Sequence, residues 1–386
     1  MKEKNCIIYI NDNPIHNAGL YLLGEAFRSL GYYPNFIDLR LPDFGKELGE
    51  AVNEKTGFFL SIDLVGAELY DGDKSIYEHL NIPLVTLLLD TMDKYGMEIC
   101  KLKNVYFGVY DIYDERYFKE FINPSSKYFH AKMCGYQAIK RNADDISKRV
   151  IDISFCGNIV SLNTIKQIIN DKYSDRLLKV CELIIEKLLA DETSIPYDVC
   201  TEIFGLYGIT FADSHQIMCN MIRLAMLYVR SSRRIDILRT LSAAGLKVDC
   251  YGIEGQFKDL LEPTIVYHHF LNFYDNLAVM SNSKFVINTN SLTQFAITER
   301  QLSAMMNGAI LLTDSNALNE SLFETEIDMV SFKYKELDKL PERIFALLDN
   351  PDKMTEISQR ARQKTLSCFT AMYRAKNIID ALESLK

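Results

Sequence analysis

Two stretches of this chain carry residue types suited to chemistry. The first is NDNPIHNAG, after an early apolar run, which holds Asp12 and His16. An imidazole titrating near pH 6.5 suits a base acting on a hydroxyl, and Asp12 is its rival in the same loop. The plain alternative is a solvent-facing histidine. Asp90 and Asp93, in LLLDTMDKYG, follow another strongly apolar run. They either orient or deprotonate a hydroxyl, or Asp90 caps a helix. The second stretch is KFVINTNSLTQFAITERQLSAMMNGAILLTD, from Lys284 to Asp314. Here Arg300 sits at the start of a predicted helix. A planar cation beside helix-terminal amides suits a diphosphate, whereas the bland reading pairs it with Glu299 on the surface. Asn288, Asn290, Ser291 and Thr293 offer short polar groups for a ligand, or equally for an ordinary turn. Gly157 and Asn158, and later Gly252, directly follow predicted strands, where glycine permits either close approach of a ligand or a tight turn.

Those residues must be held by strand–helix alternation. Cys6–Ile10, Asn35–Leu39, Gly57–Ile62, Pro83–Leu89, Val105–Val109 and Tyr128–Phe129 are predicted strands, with a helix on Leu20, Leu23, Ala26, Phe27 and Leu30. A βαβ unit this short predicts a parallel sheet with a right-handed crossover. A new strand follows at Val150–Phe155, and residues 161–245 turn mostly helical. Strands return at Val248–Tyr251, Thr264–Tyr267, Phe285–Ile287 and Ala309–Leu312. Thr298 and Gln301 have capping-box spacing, and Gly308 closes that helix. A last helix is predicted from about Pro351 to Leu385. The order predicts an α/β protein of two Rossmann-like doubly wound domains, with a helical insertion in the second.

The stretch Lys284–Asp314 also resembles the nucleotide-sugar half of GT-B glycosyltransferases, in the branch related to spore-maturation proteins. Arg300, Gly308, Ala309, Thr313 and Asp314 fit the family order, which continues through Glu320, Phe323, the run from 335 to 348, Asn350-Pro351 and Arg374. DISFCGN at 152–158 resembles the opening strand of the same half. The likeness is close over the C-terminal hundred or so residues and loose elsewhere. One departure stands out: the family glutamate that usually holds the ribose is Ser303 here. Either Glu299, one turn earlier, stands in for it, or nucleotide binding is altered or lost.

The resemblance implies a GT-B enzyme whose two domains face a cleft. Residues 1–149 would form the acceptor side and 150–365 the nucleotide-sugar side, with the helical block at about 161–245. Residues 366–386 would form a helix bracing the first domain. The implied reaction moves a sugar from a nucleotide donor to an unidentified acceptor without a metal or other cofactor. The alternative is a non-catalytic GT-B-like binding or structural protein that has lost its donor site. A nucleotide-sugar epimerase is a weaker third reading, and no GxGxxG follows the first strand to support a dehydrogenase.

Composition agrees with a globular chain: 386 residues, 48% hydrophobic and 25% charged. That length predicts two domains. A net charge of −9 argues against a nucleic-acid partner. Nine scattered cysteines without a CxxC pair predict reduced, buried thiols, and with the short N-terminal apolar run they predict a cytoplasmic protein with no membrane span. Tryptophan is absent, leaving 22 tyrosines to supply stacking faces. His268-His269 point apart on a strand and Asp71-Gly72-Asp73 reads as a turn, so neither predicts a metal site.

Overall fold

The computed structural model describes residues 4–91, 94–95, 99, 101–117, 127–140, 145–253, 260, 262–290 and 292–385. Asp93 and Ser291 lie outside them. The chain forms two compact units, residues 1–134 with 368–386, and residues 135–367.

The first unit opens with β1 (Lys4–Ile10), α1 (Pro14–Ser29), β2 (Tyr32–Asp38), α2 (Phe44–Ala51) and β3 (Thr56–Ile62). A small hairpin of β4 (Tyr70–Asp71) and β5 (Lys74–Ser75) turns at Asp71-Gly72-Asp73, so those aspartates belong to a turn, as the sequence suggests. Then come α3 (Ile76–His79), β6 (Leu84–Leu87), β7 (Val105–Val109), α4 (Ile112–Tyr117) and β8 (Lys127–His130). The six long strands are all parallel, in the order β2-β1-β3-β6-β7-β8. They read as apolar runs because helices cover the sheet. Ile8, Leu60, Val85 and Phe27 are buried in one core.

The second unit begins its sheet with β9 (Ile151–Cys156), followed by four helices: α5 (Leu162–Lys172), α6 (Asp175–Ala190), α7 (Pro196–Leu206) and α8 (Phe211–Ala243). It continues with β10 (Val248–Tyr251), β11 (Ile265–His268), α9 (Phe273–Asn282), β12 (Ser283–Asn288), α10 (Glu299–Met306), β13 (Ile310–Asp314), α11 (Ala317–Leu322), β14 (Val330–Phe332), α12 (Leu340–Leu348) and α13 (Pro351–Cys368). Its sheet is also fully parallel, in the order β11-β10-β9-β12-β13-β14. The inserted helices have a core of their own, formed by residues such as Ile165, Ile184, Phe204 and Met221. Helix α8 changes partners along its length. Met218 to Val229 belong to that helical core, whereas Ile235 to Leu241 pack under the sheet.

The single terminal helix expected over 351–385 is two helices. Thr370 takes an extended backbone (φ −88°, ψ 166°), and a second helix, α14 (Ala371–Ser384), starts after it. Ala375, Ile378 and Leu382 of α14 join the first unit's core. No described helix is long and apolar enough to cross a membrane.

Candidate functional sites

In parallel sheets of this kind, ligands bind outside the carboxyl ends of the strands, where the strand order reverses. The second sheet reverses between β9 and β12. Gly157-Asn158 and Asn288-Thr289-Asn290 follow those two strands directly.

Arg234 ties these ends together. Its Nη1 donates to the Asn158 carbonyl at 2.6 Å and its Nε to Thr289 Oγ1 at 3.0 Å. It lies at the place where α8 passes from the helical core to the sheet. Burial, followed by the charges of Arg230 and Arg300, pulls its pKa well below the usual arginine value, while Tyr334 and Asp314 oppose them. Three guanidiniums thus share one neighbourhood at these strand ends. Such repulsion is relieved by a multivalent anion. Arg300 comes from the first turn of α10 and also acts on Cys156 at the end of β9. The capping box on Thr298 and Gln301 is present as the spacing predicts, so the start of that helix is firmly fixed.

Arg233, beside Arg234, lies over the Tyr334 ring at 4.6 Å and donates to the Leu188 carbonyl at 3.0 Å. Tyr334 in turn donates to Asp314 at 3.1 Å, and Asp314 accepts the Asn290 amide at 2.7 Å. Burial pushes the Asp314 carboxyl up to about 6, against the pull of that amide, Arg233 and Tyr334.

The loop residues turn inward. Asn288 Nδ2 donates to Thr313 and its Oδ1 accepts from Thr298. Asn290 is 2% exposed and bonds Asp314 and Thr313, while Thr293 closes a turn on the Asn290 carbonyl. These three build the loop. The amides of Gly157 and Gly252 extend the strand ladder, donating to the Tyr251 and His268 carbonyls. His268 bonds Asp249 at 2.7 Å and stacks on Tyr251. Ser303 is fully buried and donates to Glu299, which is half-buried beside Arg300.

The first sheet reverses between β1 and β3. His16 lies in the first turn of α1 rather than in the loop. Pro14 occupies the first helical position and Asn13 caps the amides of Ile15 and His16, so the helix starts early. Buried His16 Nδ1 has no hydrogen-bond partner. Burial lowers the imidazole pKa first, and Lys94 and Arg374 lower it further, while Asp63 and Asp90 oppose them. Asp63, directly after β3, accepts from Tyr95 at 2.6 Å, Lys94 at 2.9 Å and the Leu89 amide at 2.9 Å. Burial would raise its pKa, but these bonds outweigh it and hold the carboxylate ionised below its usual range. Asp90 is exposed and pairs with Lys94, and Asp12 is exposed. Arg374 of α14 is 4% exposed and donates to Tyr110.

Sequence reading did not single out Asp63, Lys94, Arg230, Arg233 or Arg234. The signal for the arginines was present: three of them interrupt an otherwise apolar helical stripe at the spacing of one helix face.

Among the described residues no group of three or more His, Cys, Asp or Glu is placed to hold a metal ion. The eight described cysteines are all free.

Residues 233–380 match the family described as "Glycosyl transferase-like". No curated protein matches the chain by sequence. Among solved structures, an alpha-glucosyltransferase in complex with UDP-glucose and DNA containing an abasic site aligns with a TM-score of 0.59 and 10% identity, over 98% of this chain and 99% of that one. Anabaena Alr3699/HepE, in complex with UDP and glucose, aligns at 0.57 and 12% identity, over 99% and 100%. Sucrose-phosphate synthase from Thermosynechococcus elongatus aligns at 0.55 and 9%, over 99% of both chains. The chain thus has the fold of these structures, two Rossmann-like parallel sheets, and its segment 233–380 is similar to the glycosyl transferase-like family.

Proposed function

We propose that the protein transfers a sugar from a nucleotide sugar, bound at the strand ends of the second unit, to an acceptor hydroxyl handled by the first. The observation that carries this reading is the cluster of Arg230, Arg234 and Arg300 at the switch point of the second sheet. A nucleoside diphosphate is a leaving group of matching charge, and UDP-glucose occupies two of the similar structures.

The acceptor oxygen forms a bond to the anomeric carbon. The bond from that carbon to the phosphate oxygen breaks, and its electron pair leaves with the diphosphate. Arg300, Arg230 and the amides opening α10 stabilise that charge as it develops. The acceptor's proton goes to His16, which its surroundings keep neutral and able to accept it. Guanidiniums take the charge-neutralising role, so the reaction proceeds without a divalent cation.

A thermal-shift panel of nucleoside diphosphates and nucleotide sugars tests the reading. At about 100 times the dissociation constant, a ligand stabilises the fold by about 2.7 kcal/mol. Arg300→Ala is expected to weaken nucleoside diphosphate binding while leaving nucleoside binding nearly unchanged. Equal losses for both ligands would remove the phosphate from Arg300. Binding without any turnover would favour a protein that has kept the fold as a binding module.

A further inference from the structure

Arg149, just before β9, is 6% exposed, and its guanidinium closes the ends of two helices. Its Nη1 donates to the Ser283 carbonyl at 2.8 Å and its Nη2 to the Asn307 carbonyl at 2.8 Å, just past α9 and α10. The carbonyls that end a helix carry partial negative charge, and a buried cation there offsets it. Gly308 follows with φ +74°, and a Cβ on it would lie 2.8 Å from Arg149 Nη2. The glycine therefore leaves that nitrogen uncovered.

Helix α13 faces this point. Ser358 Oγ donates to the Gly308 carbonyl at 2.7 Å. Ser358, Arg362 and Leu366 recur every fourth residue, with Gln359 and Gln363 one place further on, so all five share one face of the helix. Between that face and Arg149 lies a cavity of about 590 Å³. Small-molecule sites usually measure about 300–1,000 Å³. All of the lining belongs to the second unit. The cavity opens at the far end of α10 from Arg300, an eight-residue helix and so about 12 Å long, which sets it apart from the strand ends.

The lining selects a chemistry. Arg149 and half-buried Arg362 both border the cavity, and among the described residues no carboxylate does. A phosphate monoester is the kind of oxyanion that two planar cations suit. A bare phosphate would leave most of the volume empty. The exposed carboxamides of Gln359 and Gln363 offer donors and acceptors to hydroxyl groups, and Leu366 offers an apolar patch to the face of a ring. A nucleotide fits less well, because among the described residues no aromatic side chain lines the cavity to stack on a base.

We propose that this cavity binds a small hydroxyl-bearing phosphate, with the chemistry of a monosaccharide phosphate. The site stands whether or not a nucleotide sugar occupies the strand ends.

Calorimetric titration of the full chain with glucose 6-phosphate, ribose 5-phosphate, inorganic phosphate and glucose tests this in the wild type, Arg362→Gln, Gln359→Ala and Arg300→Ala. A sugar phosphate is expected to bind in one-to-one stoichiometry and more tightly than inorganic phosphate, with no binding of glucose. Arg362→Gln should weaken the sugar phosphate by about tenfold or more, the usual worth of a charge-assisted hydrogen bond. Gln359→Ala changes an exposed side chain that folding does not need, and should weaken the sugar phosphate by about fivefold while leaving inorganic phosphate unchanged. Arg300→Ala should leave every affinity for these probes as it was. No sugar-phosphate binding at millimolar concentration, unchanged affinity in both Arg362→Gln and Gln359→Ala, or inorganic phosphate bound as tightly as the sugar phosphates would overturn the proposal. So would a loss in Arg300→Ala that Arg362→Gln does not share, which would place the phosphate at the strand ends.

Discussion

The two sheets solve the same placement problem with opposite charge patterns. At the switch point of the second, guanidiniums gather: burial and the charges of Arg230 and Arg300 pull the Arg234 pKa well down. At the switch point of the first, the charges alternate. Asp63 lies between Lys94 and Tyr95, Asp90 pairs with Lys94, and Arg374 stands behind Tyr110. A cluster rich in one sign, which Asp314 and Tyr334 offset only in part at Arg234, favours a ligand of the other sign. A mixed cluster is already neutralised and is free to tune a titrating group such as His16. Under the proposed function, one architecture would serve as an anion receptor in one copy and as an acid–base site in the other.

The sharpest way to break the comparison is to discharge the cationic cluster. Arg230→Ala combined with Arg300→Ala is expected to weaken nucleoside diphosphate binding by roughly a thousandfold, at about 1.5–3 kcal/mol for each charge-assisted contact. The pH dependence of any remaining turnover should not move, because His16 belongs to the other unit. A loss of only a few-fold would mean that the diphosphate is held elsewhere.

Next in size is His16→Ala, expected to lower turnover by roughly a hundredfold or more with donor affinity nearly constant. In the wild type, turnover should rise as pH increases through a pKa below the usual 6.5, since burial, Lys94 and Arg374 disfavour the imidazolium. Lys94→Met removes one of those cations and should move that limb towards higher pH. A profile indifferent to Lys94, or full turnover in His16→Ala, would shift the base to Asp12, Asp90 or Asp93.

A smaller effect is expected from Asp314. Its folded-state value of about 6 lies above the ordinary 3.8. Between these values the native state holds more proton than the unfolded chain, so this group's contribution to stability falls as pH rises and levels off above about 6. Asp314→Asn should abolish that component. The stability of wild type relative to the variant should therefore improve on acidification from pH 7 to pH 4.5 in denaturant titrations. A difference that stays constant with pH would show that Asp314 is not the raised carboxyl. The smallest expected effect is none at all: chelation should leave turnover unchanged, and a loss restored by manganese or magnesium would contradict charge neutralisation by arginine.

Much of the architecture was legible because parallel strands buried on both faces must be apolar runs. Val105–Val109 and Val248–Tyr251 were read at their actual limits. The short β14 was not read at all, because three residues after an acidic loop make too weak a signal. The break at Thr370 escaped because the helical pattern continues on both sides of it. At the sites, Arg300 was visible from its place at a helix start. Arg234 was not, because an arginine within a helix reads as a solvated residue until tertiary packing shows it enclosed. Asp63 was hidden in the same way. Its importance comes from Tyr95 and the Leu89 amide, which the chain brings to it from another strand end.

The inserted helices also bear on how the molecule assembles. β9 and β10 are neighbours in the finished sheet, with Cys156 opposite Tyr251, yet residues 157–247 separate them along the chain. If that stretch were slack, closing it would be an entropic obstacle to starting the sheet. Apart from Leu292, the buried residues of the helical core come from the insertion itself, and such local contacts are the kind that form fastest in folding chains. Once formed, it shortens the effective distance between the two strands, and α8 delivers Arg230 to Arg234 to the edge of the gap as it closes. The arginines proposed to receive the anion would thereby be set in place by the same event that joins β9 to β10.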